Sequence, residues 1–152
     1  MNAEHPLRVL IVEDEVLLAN ELEYLVETSG AKPVGHAMTS PEAITLARET
    51  RPDLALVDVH LADGPTGVDA AREMTEHCGA IVLFITANLR RLPDDLAGAC
   101  GVMCKPYSEN QIRQALDFIA RCMREGRAEG QPPNGLILSD AFARLWRVHH
   151  AA

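Results

Sequence analysis

Two adjacent acids, Glu13 and Asp14, stand directly behind a short apolar run, Leu7 to Val12. A single acid, Asp58, stands behind a second such run, Leu54 to Val57. A hydroxyl, Thr86, closes a third run (Ala80 to Ile85), and an ammonium, Lys105, closes a fourth (Gly101 to Cys104). If these runs lie side by side with one polarity, three carboxylates, a hydroxyl and an ammonium meet on one edge. Crowded carboxylates repel and raise one another's pKa unless a cation compensates. A hard divalent ion with oxygen ligands is the natural compensation. Mg²⁺ suits the place because it accepts one or two carboxylates and keeps waters or phosphate oxygens for its other positions. A carboxylate beside Mg²⁺ can attack phosphorus, while the metal and Lys105 neutralise the transferring phosphoryl oxygens and Thr86 hydrogen-bonds one of them. Asp58 is the nucleophile of choice, because it ends a wholly apolar stretch that holds its carboxylate rigidly. Singly, an acid, a threonine or a lysine at such a place has an ordinary structural explanation. The joint pattern, each type at its own strand end and in order, is what points to a site.

The elements that must position these groups follow from the spacing of apolar residues. The four runs, with a fifth over Lys32 to Met38, read as strands; lacking alternation, they suit a sheet covered on both faces. Glu15 to Thr28 carries Val16, Leu18, Leu22, Leu25 and Val26 at helical spacing, and Gly30 stops it. Ser40 and Pro41 open a second helix that ends at Arg51-Pro52. Asp63-Gly64-Pro65 marks a loop, after which Gly67 to Cys78 is helical. A short helix is expected between Leu89 and Ala99, delayed by Pro93, and a last one runs from Ser108 to about Arg124. Five strands alternating with five helices predict an α/β fold with a doubly wound parallel sheet. In such a sheet the reactive crevice opens at the carboxyl ends of the strands.

Composition bounds the function. The 152 residues are 47% hydrophobic and 24% charged, enough for a real core. The net charge of -8 argues against bulk binding to a phosphate backbone, so no nucleic-acid partner is expected. No apolar run reaches the roughly 18 residues of a membrane span, Met1 to Leu7 has no signal-peptide pattern, and a cytoplasmic location is expected. Cys78, Cys100, Cys104 and Cys122 form no C-x-x-C pair and read as small buried thiols in a reducing compartment. No phosphate-binding glycine loop is present, which sets nucleotide enzymes aside.

The segments Val9 to Glu15, Pro52 to Gly67, Val82 to Ala87 and Gly101 to Tyr107 resemble the response-regulator receiver domain of bacterial two-component signalling. The resemblance spans roughly residues 7 to 124. It implies a flavodoxin-like five-stranded parallel sheet in the order 2-1-3-4-5 with helices on both faces. It implies that Asp58 takes a phosphoryl group from a histidine kinase or a histidine phosphotransfer protein. Glu13 and Asp14 match the acidic pair that positions Mg²⁺. His60 matches the position whose backbone carbonyl ligates the metal, its imidazole being a surface group above the site. Thr86 and Lys105 match the pair that follows the phosphoryl group. One departure concerns signalling: the family's switch aromatic lies three residues before the lysine, and here that position is Val102. Propagation would then rest on Thr86, Lys105 and the Asn88 to Gly98 segment, with Asn88 and His60 governing water access to the acyl phosphate.

The expected organisation is a receiver domain over residues 1–124, a Gly- and Pro-rich linker over 125–134 and a C-terminal arm over 135–152 with a short helix capped by Ser139. Phe142, Leu145 and Trp146 would share one face of that helix. The arm folds back on its own domain or contacts a second copy or another protein, because an exposed Phe-Leu-Trp patch is costly. The leading function is a phosphorylation-dependent switch that alters binding of a downstream protein partner, with catalysis confined to its own phosphorylation and slow dephosphorylation. The competing readings are a degenerate receiver that binds partners without phosphorylation and an Asp-nucleophile phosphohydrolase. The latter is disfavoured because His60 stands where such enzymes carry a second acid.

Overall fold

The four apolar runs that lead to the candidate residues are largely buried between helices on both faces, whereas the run from Lys32 lies at the sheet edge and is only partly buried. The computed structural model describes residues 5–148; the expectations for 149–152 lie outside them. In chain order the elements are β1 (Arg8–Val12), α1 (Val16–Thr28), β2 (Lys32–Ala37), α2 (Ser40–Thr50), β3 (Leu54–Val57), α3 (Gly67–His77), β4 (Ile81–Thr86), β5 (Gly101–Cys104), α4 (Glu109–Glu125), β6 (Leu136–Leu138) and α5 (Asp140–Leu145). The sheet order is β2-β1-β3-β4-β5-β6. The first five strands are parallel, in the expected 2-1-3-4-5 order, and β6 adds a sixth, antiparallel to β5.

Successive side chains of a strand point to opposite faces. Val9, Ile11, Leu54, Leu56, Leu83, Ile85 and Met103 pack with α1 and α4. Leu10, Val12, Ala55, Val57, Val82, Phe84 and Val102 pack with α2 and α3. The first face is filled by large side chains such as Leu22, Leu25, Ile112, Leu116 and Phe118, the second largely by alanines, Ala43, Ala47, Ala70 and Ala71. Local signals set the helix ends. Ser108 and Gln111 form a reciprocal capping box at α4, and Gly126 ends it in the left-handed region. The cap of α2 is Thr39 rather than Ser40: the Thr39 hydroxyl accepts from Glu42 N at 3.3 Å.

Two segments differ from expectation. No α-helix forms between β4 and β5; the chain makes two 3₁₀ turns, Leu89–Arg91 and Leu96–Gly98. Pro93 divides the segment, and Leu96, Ala97 and Gly98 take φ of 51°, 55° and 82°, which no α-helix tolerates. The second difference is β6. Gly101 makes it reachable, since a Cβ there would strike the Ile137 carbonyl. The chain from Gly126 turns back across α4, Ala128 N–H donates to Trp146 O at 2.7 Å, and Trp146 is 3% exposed beside Leu136 and α4. Phe142 meets the Trp146 ring edge-on at 5.0 Å, whereas Leu145 points outward at 61% exposure and does not share their face. The four cysteines are free thiols; Cys78, Cys100 and Cys122 are buried and Cys104 is half-buried.

Candidate functional site

The parallel pairing brings the carboxyl ends of β1, β3, β4 and β5 together, and the sheet register keeps them level: Val12 lies beside Val57, Val57 beside Phe84, and Thr86 beside Cys104. The residues just past these ends line one cleft of about 410 Å³, among them Asp14, Asp58, His60, Thr86, Asn88 and Lys105. Lys105 Nζ donates to Asp58 Oδ2 at 2.8 Å and to Glu13 Oε1 at 3.1 Å. One carboxylate oxygen each from Glu13, Asp14 and Asp58 lie within 4.8 Å of one another. The five groups singled out in the sequence therefore meet. Glu13 is buried, Asp14 and Asp58 are half-buried, and His60 is exposed.

Electrostatics distinguishes these groups. Burial, with the Asp58 carboxylate beside it, pushes the Glu13 carboxyl from 4.5 up to about 8, only partly offset by Lys105. Burial disfavours the Lys105 ammonium, but its bonds to Asp58 and Glu13 outweigh that and hold it above its ordinary range. When all three acids are ionised, a single ammonium leaves negative charge uncompensated. Glu13 Oε2 is buried and has no hydrogen-bond partner. An orphaned carboxylate oxygen in a cluster of three oxygens fits a hard cation. The residues present thus suit Mg²⁺, which Glu13, Asp14 and Asp58 would hold.

Thr86 is 1% exposed, and its Oγ1 accepts from Asn88 N at 3.1 Å. The hydroxyl proton remains available to an oxygen in the cleft. Val102, at the expected place of a switch aromatic, is 2% exposed and packs beside Phe84 with no ring to turn. Tyr107 packs against the α1–α4 face, and its hydroxyl is buried without a partner. Burial, with the Glu21 carboxylate contributing, pushes that phenol up to about 12.

One requirement of the site escaped the sequence reading. Gly67, the first residue of α3, lies under Asp58, and a Cβ there would run into the Asp58 carbonyl oxygen and the Val59 backbone. Its signal was a glycine inside the first turn of a helix, where glycine is an unfavourable helix former. Gly67 N–H donates to Val59 O at 2.9 Å and closes the loop behind the acid.

A parallel sheet in this order with an acidic cleft over β1 and β3 defines a receiver fold. The family model for the response regulator receiver domain matches residues 9–117, and the chain belongs to that family. The phyllosphere-induced regulator PhyR of Methylorubrum extorquens is 38% identical over 122 residues, covering 76% of this chain and 46% of that protein. The chain thus spans about half the length of that curated relative. The solution structure of the receiver domain of PhyR from Erythrobacter litoralis superposes with a TM-score of 0.68 at 32% identity, covering 81% of this chain and 94% of that one. The anti-anti-sigma factor PhyR of Bartonella quintana, solved in complex with the anti-sigma factor NepR, is 38% identical over the matched part. It covers 58% of this chain and 37% of its own, with a TM-score of 0.52. Among the described residues no helix is long and apolar enough to cross a membrane.

Proposed function

We propose that this chain is a phospho-accepting response regulator of the cytoplasm. A carboxylate oxygen of Asp58 attacks the phosphorus of a phosphohistidine on a histidine kinase or phosphotransfer protein. A P–O bond forms and the P–N bond breaks; the imidazole nitrogen leaves with the electron pair and is protonated from solvent. Lys105, which spans Asp58 and Glu13 beforehand, follows the charge to a phosphoryl oxygen, and the Thr86 hydroxyl donates to another. Mg²⁺, when bound, supplies charge neutralisation at the phosphoryl oxygens. His60 would contribute its backbone carbonyl to the bound metal, and its exposed side chain, with Asn88, controls the approach of water.

The phosphorylated form alters binding of a protein partner; support for a protein partner comes from a relative, PhyR of Bartonella quintana, solved in complex with the anti-sigma factor NepR. When Thr86 turns toward the phosphoryl group, Asn88 N–H loses its acceptor, and the 87–99 segment is released to rearrange. The observation that carries this reading is the Lys105 ammonium bridging Asp58 and Glu13 within a three-carboxylate cluster.

The test is incubation with a small acyl phosphate and Mg²⁺, read by intact mass, for the native chain and Asp58→Ala. The native chain is expected to gain one phosphoryl group and the variant none. A native chain that gains nothing makes the domain a phosphorylation-independent binding module. Sustained release of phosphate over many turnovers makes it a phosphohydrolase.

A further inference from the structure

The acids Glu13 and Asp14 belong to no regular element. β1 ends at Val12 and α1 begins at Val16, so neither ladder nor helix fixes the peptide between them. That peptide is fixed from β2 instead. Glu13 N–H donates to Ala37 O at 2.9 Å, and His36 Nε2 lies 2.7 Å from Glu13 O. A carbonyl oxygen only accepts, so Nε2 carries the proton and donates. The two bonds hold Glu13 by both its amide and its carbonyl, from a strand 23 positions further along the chain. The first is what any pair of parallel strands supplies. The second depends on one side chain, and the carbonyl it holds belongs to the peptide that joins Glu13 to Asp14. Rotation of that peptide would swing the Asp14 carboxylate relative to Glu13 and Asp58, whose oxygens now lie within 4.8 Å of one another and of its own.

We infer that His36 is a positioning residue: its imidazole locks the Glu13–Asp14 peptide so that both carboxylates address one cation beside Asp58. The inference rests on the metal-dependent phosphorylation proposed above. Hydrogen bonds that orient a metal site from outside its ligands tune metal affinity, and His36 touches only the peptide behind the two acids, not the reacting carboxylate of Asp58.

The experiment compares the native chain with His36→Phe, which keeps a ring and loses the donor, and His36→Gln, whose amide restores a donor. Mg²⁺ affinity is measured by calorimetry without phosphodonor, and the rate of acyl-phosphate formation is measured across a Mg²⁺ series. The Phe variant is expected to bind Mg²⁺ about tenfold more weakly, with the Gln variant recovering most of the loss. At saturating Mg²⁺ all three are expected to react at similar rates, so the effect falls on the metal requirement and not on the maximal rate. If the Phe variant does not fold, His36→Asn, whose shorter amide cannot span the gap, replaces it. Native Mg²⁺ affinity in the Phe variant overturns the inference while leaving the phosphorylation reading intact. So does a loss of maximal rate and melting temperature that Gln does not rescue, since that is a structural role alone. A native chain that binds no Mg²⁺ overturns the underlying reading itself.

Discussion

The loops on either side of the cleft are built on opposite principles. Residues 58–67, after β3, are held from several directions. Asp58 N–H donates to Val12 O, Ala62 N–H to Met38 O, and Leu61 and Gly64 bond each other at 2.8 and 3.0 Å. Asp63 Oδ1 accepts from Ser40 N and Thr66 Oγ1, and these bonds, that from Thr66 foremost, keep its carboxyl below the usual range. Val59 and Leu61 are buried beneath. Residues 87–99, after β4, are held mainly by short-range bonds within the segment and from one helix, α3, through Arg72 and Thr75. Leu89 is 43% exposed, three successive residues sit in left-handed backbone, and Ala97 and Ala99 make the main apolar anchor. A non-glycine residue in that conformation costs on the order of 1 kcal/mol. The difference assigns labour. Asp58 and His60, the proposed acceptor and metal-carbonyl positions, sit on the side held by Val12, Met38 and Ser40, and Thr86 opens onto the other. A switch needs an element with two accessible arrangements, and a segment poor in burial and strained in backbone is the natural place for one.

The largest expected effect tests the immobile side. Gly67→Ala puts a methyl group into the Asp58 carbonyl and the Val59 backbone, neither of which is a flexible side-chain end. A loss of roughly 3 kcal/mol in urea unfolding is expected, at the upper end for overpacking. A variant as stable as the native chain would mean that the loop yields, and the contrast between the two sides would disappear. A smaller effect reports on the charge that this side confines. Without a divalent ion, folded Glu13 keeps its proton up to about pH 8, against 4.5 for a free glutamate. Between those values the folded state binds more protons than the unfolded one, so stability falls as pH rises through that window. A melting temperature lower by on the order of 5 °C near pH 8 than near pH 5 is expected in chelator. Glu13→Gln should flatten the curve, and so should Mg²⁺, which makes the ionised carboxylate the favoured form. A flat curve for the native chain in chelator would show that Glu13 is not held protonated.

The two sides also differ in how far the sequence disclosed them. Glu13, Asp14, Asp58, Thr86 and Lys105 were legible because each follows an apolar run, and a parallel sheet aligns the ends of its strands. Gly67 was not, because its role depends on a carbonyl nine positions earlier that only the folded loop brings near. The helix expected over Leu89 to Ala99 failed for a related reason. Leu92, Leu96, Ala97 and Ala99 do pack on the α2–α3 core, but through turns, because Pro93 and the Leu96–Gly98 backbone break the helical period. β6 was hidden by brevity. Leu136-Ile137-Leu138 is too short to separate from any apolar triplet, and its partner was set by Gly101, whose missing side chain leaves room for the Ile137 backbone.

The smallest expected effect tests the yielding side. Arg72 on α3 donates from two nitrogens to Asp95 at 3.1 Å each, and Thr75 Oγ1 donates to Ala97 O at 3.0 Å. The ion pair holds the Asp95 carboxyl below its ordinary range, yet Arg72 and Asp95 are 41% and 63% exposed, so solvent and salt screen it. Arg72→Ala is therefore expected to leave the melting temperature within about 2 °C of the native value. Amide exchange should nonetheless quicken over residues 96–99 and stay unchanged over 58–67. That pattern would show a segment latched from outside, whose release costs the rest of the fold little. A drop in melting temperature as large as that of Gly67→Ala would contradict it: the 87–99 segment would then be as firmly built in as the loop behind Asp58, and Thr86 would have no pliable neighbour through which to act.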